Sequence, residues 1–140
     1  MGGIVVGVDE SATARRAAVR AVEIARALDE PLHLVMSVKD SSSQVVRRGG
    51  DEFVIDRTEQ AERTIDSIKS DIGAPDARST VGGTDPADSL CEEAERVGAS
   101  MIVVGNRRVQ GVSRVLGAIA SDVLRQAPCD VLVAHTVDDD

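Results

Sequence analysis

Aromatic residues are nearly absent from this chain: its 140 residues include one Phe, no Trp and no Tyr. The apolar 42% of the residues must therefore build a core from Val, Ile, Leu and Ala. Such a mixture is typical of a buried parallel sheet that is covered by Ala-rich helices. The length favours one domain with a single core. We expect this domain to span residues 1–137 and an acidic tail to follow at 138–140.

Long apolar runs and an excess of basic residues are missing as well. No run approaches the roughly 20 apolar residues that a membrane-spanning helix needs. No basic region precedes the apolar part of the N-terminal MGGIVVGVDES, so it does not resemble a secretory signal. The net charge of −8 disfavours duplex nucleic acid and anionic membranes as partners. We therefore expect a cytoplasmic protein that binds neither nucleic acid nor a membrane.

Residues that bind metals or attack substrates are few. Cys91 and Cys129 are far apart and form no CxxC pair, which favours two small buried thiols over a disulfide or a metal site. His33 and His135 are isolated within apolar runs, and two such histidines make a poor metal site. The sequence thus predicts no metal site and offers no catalytic residue.

Short β-branched runs alternate with segments whose apolar residues recur at helical spacing. Ser11 or Thr13 could cap the first such helix. Asp85, Pro86 and Gly98 fit the first cap, the first turn and the position after the end of the third. The predicted strands are 3–9, 32–38, 77–83 (a weak edge strand), 100–105 and 130–136, the predicted helices are about 11–30, 51–72, 85–97 and 112–126, and 39–51 is a predicted loop. This alternation predicts a doubly wound α/β fold, with a five-stranded, mostly parallel sheet sandwiched by four helices.

Two segments of the predicted sheet are candidates for a ligand site. In doubly wound sheets, ligands bind past the carboxyl ends of the strands, where the strand order reverses. Asp9 follows the first strand, where it could accept hydrogen bonds from ribose hydroxyls or cap the first helix. The stretch GNRRVQGVSRVLGA (105–118) follows the fourth strand. It contains neither GK[ST] nor GxGxxG, so it could cradle a phosphate or be only a solvated turn.

Three stretches together resemble the universal stress protein family. They are IVVGVDESATARRAAVRAVEIARAL, DPADSLCEEAERVGASMIVVGNR and LGAIASDVLRQAPCDVLVAHT. The resemblance implies the family fold, a five-stranded α/β sandwich of the adenine nucleotide alpha hydrolase-like type. Members commonly dimerise, often through the last strand, which implies a homodimer through Val131–Ala134. Many members bind ATP, and some bind cyclic AMP or another adenine nucleotide.

The nucleotide motif of the family is only partly present. It consists of a Gly, two residues, a second Gly, a spacer of eight or nine, and a third Gly followed by Ser or Thr. Gly105 and Gly117 match the first and third glycines. Arg108 replaces the second glycine, which costs about 1–2 kcal/mol if that position takes positive φ. Ala118 replaces the hydroxyl residue and loses a hydrogen bond of about 0.5–1.5 kcal/mol.

The resemblance also implies a role for each end of the site. Asp9 would face the ribose and the Val38 backbone would face adenine, while residues 117–119 and Gly105 would lie near the phosphates. Arginines of the turn could compensate for the two departures. The full predicted site is Val8, Asp9, Val38, Val104, Gly105, Arg107, Arg108, Gly117, Ala118 and Ile119. We expect weakened or absent binding of ATP, with Mg²⁺ accompanying the nucleotide and no cofactor being required.

Several functions remain open at this point. A stress-response regulator that binds an adenine nucleotide is favoured. A nucleotide-independent dimeric interaction protein, with Arg108 filling the site, is the alternative. Slow ATP hydrolysis is less favoured because no histidine, cysteine or carboxylate cluster lies near the turn to activate water, and Asp9 stands nearly alone as a Mg²⁺ ligand. A response regulator is disfavoured because the strand ending in VGG lacks the phosphorylatable Asp.

Overall fold

A computed structural model describes residues 2–9, 11–37, 43–48, 51–105 and 117–136, with only the backbone described in 43–48 and 51–58. These ranges contain eleven helices and strands, in the order that follows. They are β1 Ile4–Gly7, α1 Ala12–Leu28, β2 Leu32–Ser37, β3 Ser43–Arg48, β4 Asp51–Asp56, α2 Arg57–Asp71, β5 Arg78–Gly82, α3 Pro86–Val97, β6 Met101–Gly105, α4 Ala118–Gln126 and β7 Asp130–Ala134.

The main sheet has five strands in the order β5-β2-β1-β6-β7, and every neighbouring pair is parallel. Ile4 at the start of the central strand pairs with Leu32 on one side and Met101 on the other. From β1 the chain winds outwards through β2 to β5, then crosses back to β6. The strand order therefore reverses between β1 and β6, which opens a crevice at their carboxyl ends. The predicted doubly wound parallel sheet is confirmed.

Each face of the sheet carries its own apolar core. Ile4, Val6 and Leu34 pack with α1 and α2, whereas Val5 and Ile102 pack with α3 and α4. This division follows from the alternation of side chains along a strand. The helices approach closely because alanine dominates the buried face of α1. Aliphatic side chains thus fill both cores without help from aromatic rings.

The helix ends largely follow the predicted capping signals. Ser11 caps α1, with its hydroxyl accepting the N–H of Ala14 at 3.1 Å. Asp85 caps α3 by accepting the N–H of Asp88 at 3.0 Å, and Pro86 is the first helical residue. Gly98 ends α3 with a positive φ of 63°. The predicted start and end of α3 are confirmed, and such a cap contributes about 1 kcal/mol to helix stability.

The prediction was wrong for residues 43–56. It placed a loop over 39–51 and began the second helix at Asp51. The structure instead pairs β3 with β4 in an antiparallel hairpin, and α2 begins at Arg57. Val46 lies opposite Phe53 in this hairpin, and β-branched and aromatic residues favour such cross-strand pairs. The intervening Gly-Gly dipeptide, which is favoured in two-residue hairpin turns, is a signal that the prediction missed.

The other differences are smaller. The weak strand predicted at 77–83 is β5 and lies at a sheet edge, as expected. The fourth helix was predicted from Val112, but residues 112–116 lie outside the described part of the chain, where α4 is Ala118–Gln126. No helix within the described ranges is long and apolar enough to cross a membrane.

Candidate functional site

A cavity of about 640 Å³ lies at the carboxyl ends of β1 and β6, in the crevice where the strand order reverses. It brings together residues from both predicted site segments, although Asp9 and Gly105 are 96 positions apart in the chain. Seven of the ten predicted residues line it: Val8, Asp9, Val104, Gly105, Gly117, Ala118 and Ile119. The remaining three, Val38, Arg107 and Arg108, lie outside the residues that the structure describes.

Asp9 shapes the entrance to α1. Its carboxylate oxygen Oδ1 accepts the N–H of Ser11 at 2.7 Å, and Ser11 then caps the helix. The capping role considered for Asp9 therefore belongs to Ser11, two residues later. A short acidic side chain that bonds two residues ahead stabilises a tight turn. A carboxylate has about four acceptor positions, so this bond leaves Asp9 able to accept further hydrogen bonds from a ligand.

The N-terminus of α4 opens into the same cavity. Gly117 precedes the helix and, without a side chain, cannot cap it. The first intrahelical bond runs from the Ser121 N–H to the Gly117 carbonyl at 2.9 Å. The N–H groups of residues 118–120 consequently lack partners within the helix. These residues line the cavity, and unpaired N–H groups at the positive end of a helix dipole favour an anion.

Gly105 has a packing reason to be glycine. A Cβ atom at this position would lie 2.8 Å from Thr136 Oγ1 and 3.1 Å from Thr13 Cγ2. Gly105 is also not among the residues with positive φ. The motif glycine is therefore required by close packing of the strand end, and the conformational freedom of glycine is not needed here.

Several lining residues were not predicted. Thr13 and Ser37 contribute hydroxyl groups, while Val35, Pro86 and Leu90 form an apolar wall. Ser37 donates its hydroxyl hydrogen to the Gly83 carbonyl. Pro86 and Leu90 carry only the signals of a helix start and an apolar helix face, so a local pattern could not assign them to a site. The described lining thus combines one carboxylate, a few hydroxyls and open backbone N–H groups with an apolar slot.

A second, smaller cavity of about 280 Å³ lies between β5 and α3. Glu93 is only 4% exposed there. Its carboxylate accepts the Thr80 hydroxyl at 2.9 Å and two Arg96 hydrogen bonds at 2.6 and 2.7 Å. The Arg96 hydrogen bonds hold the pKa of Glu93 below its ordinary value. Because its acceptors are already occupied by the protein, this carboxylate is a structural anchor and a poor candidate for chemistry.

The buried histidine and the two cysteines are poor candidates for a reactive site. His33 is buried, neither ring nitrogen makes a hydrogen bond of good geometry, and burial lowers its pKa. Cys91 is buried as predicted, whereas Cys129 is only partly buried. Both are free thiols whose pKa is raised, chiefly by burial. No group of three His, Cys, Asp or Glu side chains within the described ranges could hold a metal ion.

The chain is similar to a known protein family over nearly its whole length. The model of the universal stress protein family matches residues 1–135. The chain is 26% identical over 138 residues to a Staphylococcus aureus protein provisionally named a universal stress protein, a match that covers 95% of this chain and 83% of that protein.

Two solved structures have similar folds and carry nucleotides. A universal stress protein in complex with cAMP is 28% identical, with a TM-score of 0.70 over 97% of this chain and 98% of that one. A universal stress protein from Archaeoglobus fulgidus in complex with dAMP is 25% identical, with a TM-score of 0.65 over 95% and 97% of the two chains.

Proposed function

Because this chain belongs to the universal stress protein family, we propose that it is a stress-response regulator whose cavity between β1 and β6 binds an adenine nucleotide. The observation that carries the proposal is the meeting of Asp9 and the uncapped α4 N-terminus in one cavity. The cAMP and dAMP complexes of two relatives support the ligand class. Because adenine nucleotides are abundant in the cytoplasm, we propose a cytoplasmic location as well.

The proposed binding mode divides the ligand among three parts of the cavity. Asp9 accepts hydrogen bonds from ribose hydroxyls with the acceptor positions that Ser11 leaves free. The apolar wall of Val35, Pro86 and Leu90 takes the base, and the Val38 backbone contacts its edge. The N–H groups of residues 118–120 bind one phosphate, which is the number that cAMP, AMP and dAMP carry.

ATP is expected to bind more weakly than it would to a complete family motif. Ala118 supplies a backbone N–H but no hydroxyl to the phosphates, and Arg108 replaces the second motif glycine. Mg²⁺ would arrive with ATP and is not required by the monophosphates. We therefore propose nucleotide binding as the function and treat ATP hydrolysis as the less favoured alternative, which release of inorganic phosphate from ATP–Mg²⁺ would detect.

Calorimetric titration tests the proposal. Protein stripped of bound ligand is titrated with ATP–Mg²⁺, ADP, AMP and cAMP, and saturable binding in the micromolar range is the expected result for at least one of them. Asp9→Asn should weaken that binding about tenfold because a hydrogen bond to a charged acceptor is lost. Asp76→Asn is the matched control, since Asp76 is exposed and precedes β5 at the opposite end of the sheet. Absence of binding at millimolar ligand would overturn the proposal.

We also propose a homodimer through Val131–Ala134. The outer edge of β7 pairs with no other strand that the structure describes, and Val133 on it is 39% exposed. Ile119 and Leu124 of the adjacent α4 are exposed large apolar residues as well. An apolar edge strand is a template for pairing with a second chain. Sedimentation should show a dimer that Val133→Lys dissociates and the α1 surface control Val19→Lys does not. A monomeric wild-type chain would contradict this.

A further inference from the structure

Thr136 packs against Gly105, a residue of the cavity wall, on the side away from the cavity. Thr136 follows β7 and is 1% exposed. Its Oγ1 and Cγ2 atoms lie 2.8 and 3.1 Å from the point where a Cβ of residue 105 would be. Gly105 is also paired with Ala134 in the register of β6 and β7. The segment after β7 therefore occupies the space that a side chain on the cavity wall would otherwise take.

The same point is enclosed from the other side by α1. Thr13 Cγ2 lies 3.1 Å from the position of that Cβ, and Thr13 lines the cavity. Strand β6, helix α1 and the segment after β7 thus meet around a single backbone position. Because interiors are packed at crystal-like density, a displacement of one of these three is transmitted to the other two.

Arg16 fixes the segment to α1. Its Nη1 atom donates a hydrogen bond to the Thr136 carbonyl at 2.8 Å. Arg16 lies three residues after Thr13, so the residue that contacts the cavity and the residue that holds the segment are neighbours on one helix face. A hydrogen bond from a charged donor is stronger than a neutral one, which suits a contact that must hold a chain segment in place.

We propose that Thr136, held by Arg16, is a positioning residue of the nucleotide site. It fixes the Gly105 backbone and the Thr13 methyl group at the cavity wall, and it couples ligand binding to docking of the segment after β7. This inference rests on the proposed function. By linkage, a ligand that stabilises the wall stabilises the docked segment to the same extent. Because Thr136 lies just after β7, this coupling extends to β7, one of the two edge strands of the main sheet.

Substitutions on both sides of the contact test the inference. Thr136→Ala removes the side chain that backs Gly105, and Thr136→Ser restores the hydroxyl. Gly105→Ala should be strongly disruptive in the wild-type chain and much less so when combined with Thr136→Ala, because the added methyl group then has room. Such a double-mutant cycle isolates the pair. Thr136→Ala is expected to weaken AMP and cAMP binding about tenfold, and Thr136→Ser to recover most of it.

Hydrogen exchange provides a readout that general loss of stability would not reproduce. AMP should slow exchange of the amides at 101–105 and 130–136 together in the wild-type chain, by about tenfold or more. Arg16→Gln should remove most of this protection at 130–136 and should speed exchange at 101–105 even without ligand. Arg20→Gln is the control, because Arg20 lies on the same helix and pairs with exposed Glu23.

The outcomes separate this inference from the proposed function. If the wild-type chain binds AMP or cAMP and neither Thr136→Ala nor Arg16→Gln changes affinity, the inference is overturned and the function stands. If the wild-type chain binds none of ATP–Mg²⁺, ADP, AMP and cAMP, the proposed function fails. Hydrogen exchange without ligand is then the remaining test of the positioning role. Unchanged exchange at 101–105 in Arg16→Gln would overturn that role. Should Thr136→Ala fail to fold, Arg16→Gln carries the test, because Arg16 is exposed.

Discussion

Helices α3 and α4 pack on the same face of the main sheet, but only α3 has a side chain that caps its N-terminus. At α3, Asp85 accepts a backbone N–H and Pro86 removes a second one. At α4, Gly117 offers no side chain, and the first N–H groups open into the cavity. One helix end is capped by a side chain of the protein, whereas the other has no side-chain cap among the residues that the structure describes. An uncapped helix start that lines a cavity therefore points to function more directly than the cavity does.

The most severe way to break this contrast is to cap α4. Gly117→Asp places a carboxylate at the helix end, where it accepts the free N–H groups and repels a phosphate. Nucleotide affinity should fall about 100-fold while the protein becomes slightly more stable. Calorimetry and urea unfolding measure the two effects. Gly117→Ala adds a Cβ atom without a cap and should keep affinity within about threefold, so an equal loss in both variants would contradict the explanation.

Glu93 is a buried polar group whose hydrogen bonds come from the protein itself, so its removal should affect stability and not ligand binding. Glu93→Ala leaves the Thr80 hydroxyl without its partner and removes the anchor of Arg96. We expect the free energy of unfolding to fall by about 2 kcal/mol with nucleotide affinity unchanged. Urea unfolding is the measurement. Glu92→Ala is the matched control because Glu92 is exposed on the same helix, and an equal loss in the control would count against an anchoring role for Glu93.

Removing the α3 cap should have a smaller effect. Asp85→Ala deprives the Asp88 N–H of its acceptor and is expected to lower the free energy of unfolding by about 1 kcal/mol. Nucleotide affinity should stay the same, since Asp85 does not line the main cavity. Thermal unfolding monitored by circular dichroism measures the change. A drop in affinity larger than the drop in stability would show that both helix ends serve the ligand.

His33 extends the comparison to a buried polar side chain that lies outside the cavity and has no hydrogen-bond partner of good geometry. Burial lowers its pKa in the folded protein below the ordinary 6.5. Between these two values the unfolded chain binds a proton that the folded chain does not, so stability falls as pH drops below about 6.5 and is level above it. The nearby Glu93 opposes this shift, and Arg78 and Arg96 reinforce it.

His33 should make the wild-type chain lose stability between pH 7 and pH 6, a loss that His33→Leu does not share. Urea unfolding of both chains across this range measures the difference, because the carboxylates other than Glu93, which interacts with His33, contribute equally to both. The two chains should differ in slope below pH 6.5. Parallel curves would mean that the buried imidazole accepts a proton without cost.

The fold was largely predictable because most strands of the main sheet are apolar runs that alternate with segments of helical pattern. The hairpin at 43–56 was not, since Ser and Gly residues mark loops and hairpins alike, and the pairing of β3 with β4 is what separates the two. For the site, seven residues could be predicted because they lie at strand ends or helix starts. Thr13 and Leu90 could not, because tertiary packing alone brings them to the cavity, and packing alone also places Thr136 behind its wall.

The crevice between β1 and β6 exists because the chain winds in opposite directions from the middle of the sheet. No individual side chain is needed to create it. A substitution at a position that lines the cavity, such as 118, can therefore change the lining while the scaffold folds as before. Natural selection can exchange one ligand for another on this framework by changing a few residues at the strand ends, which makes a common shape compatible with diverging specificities.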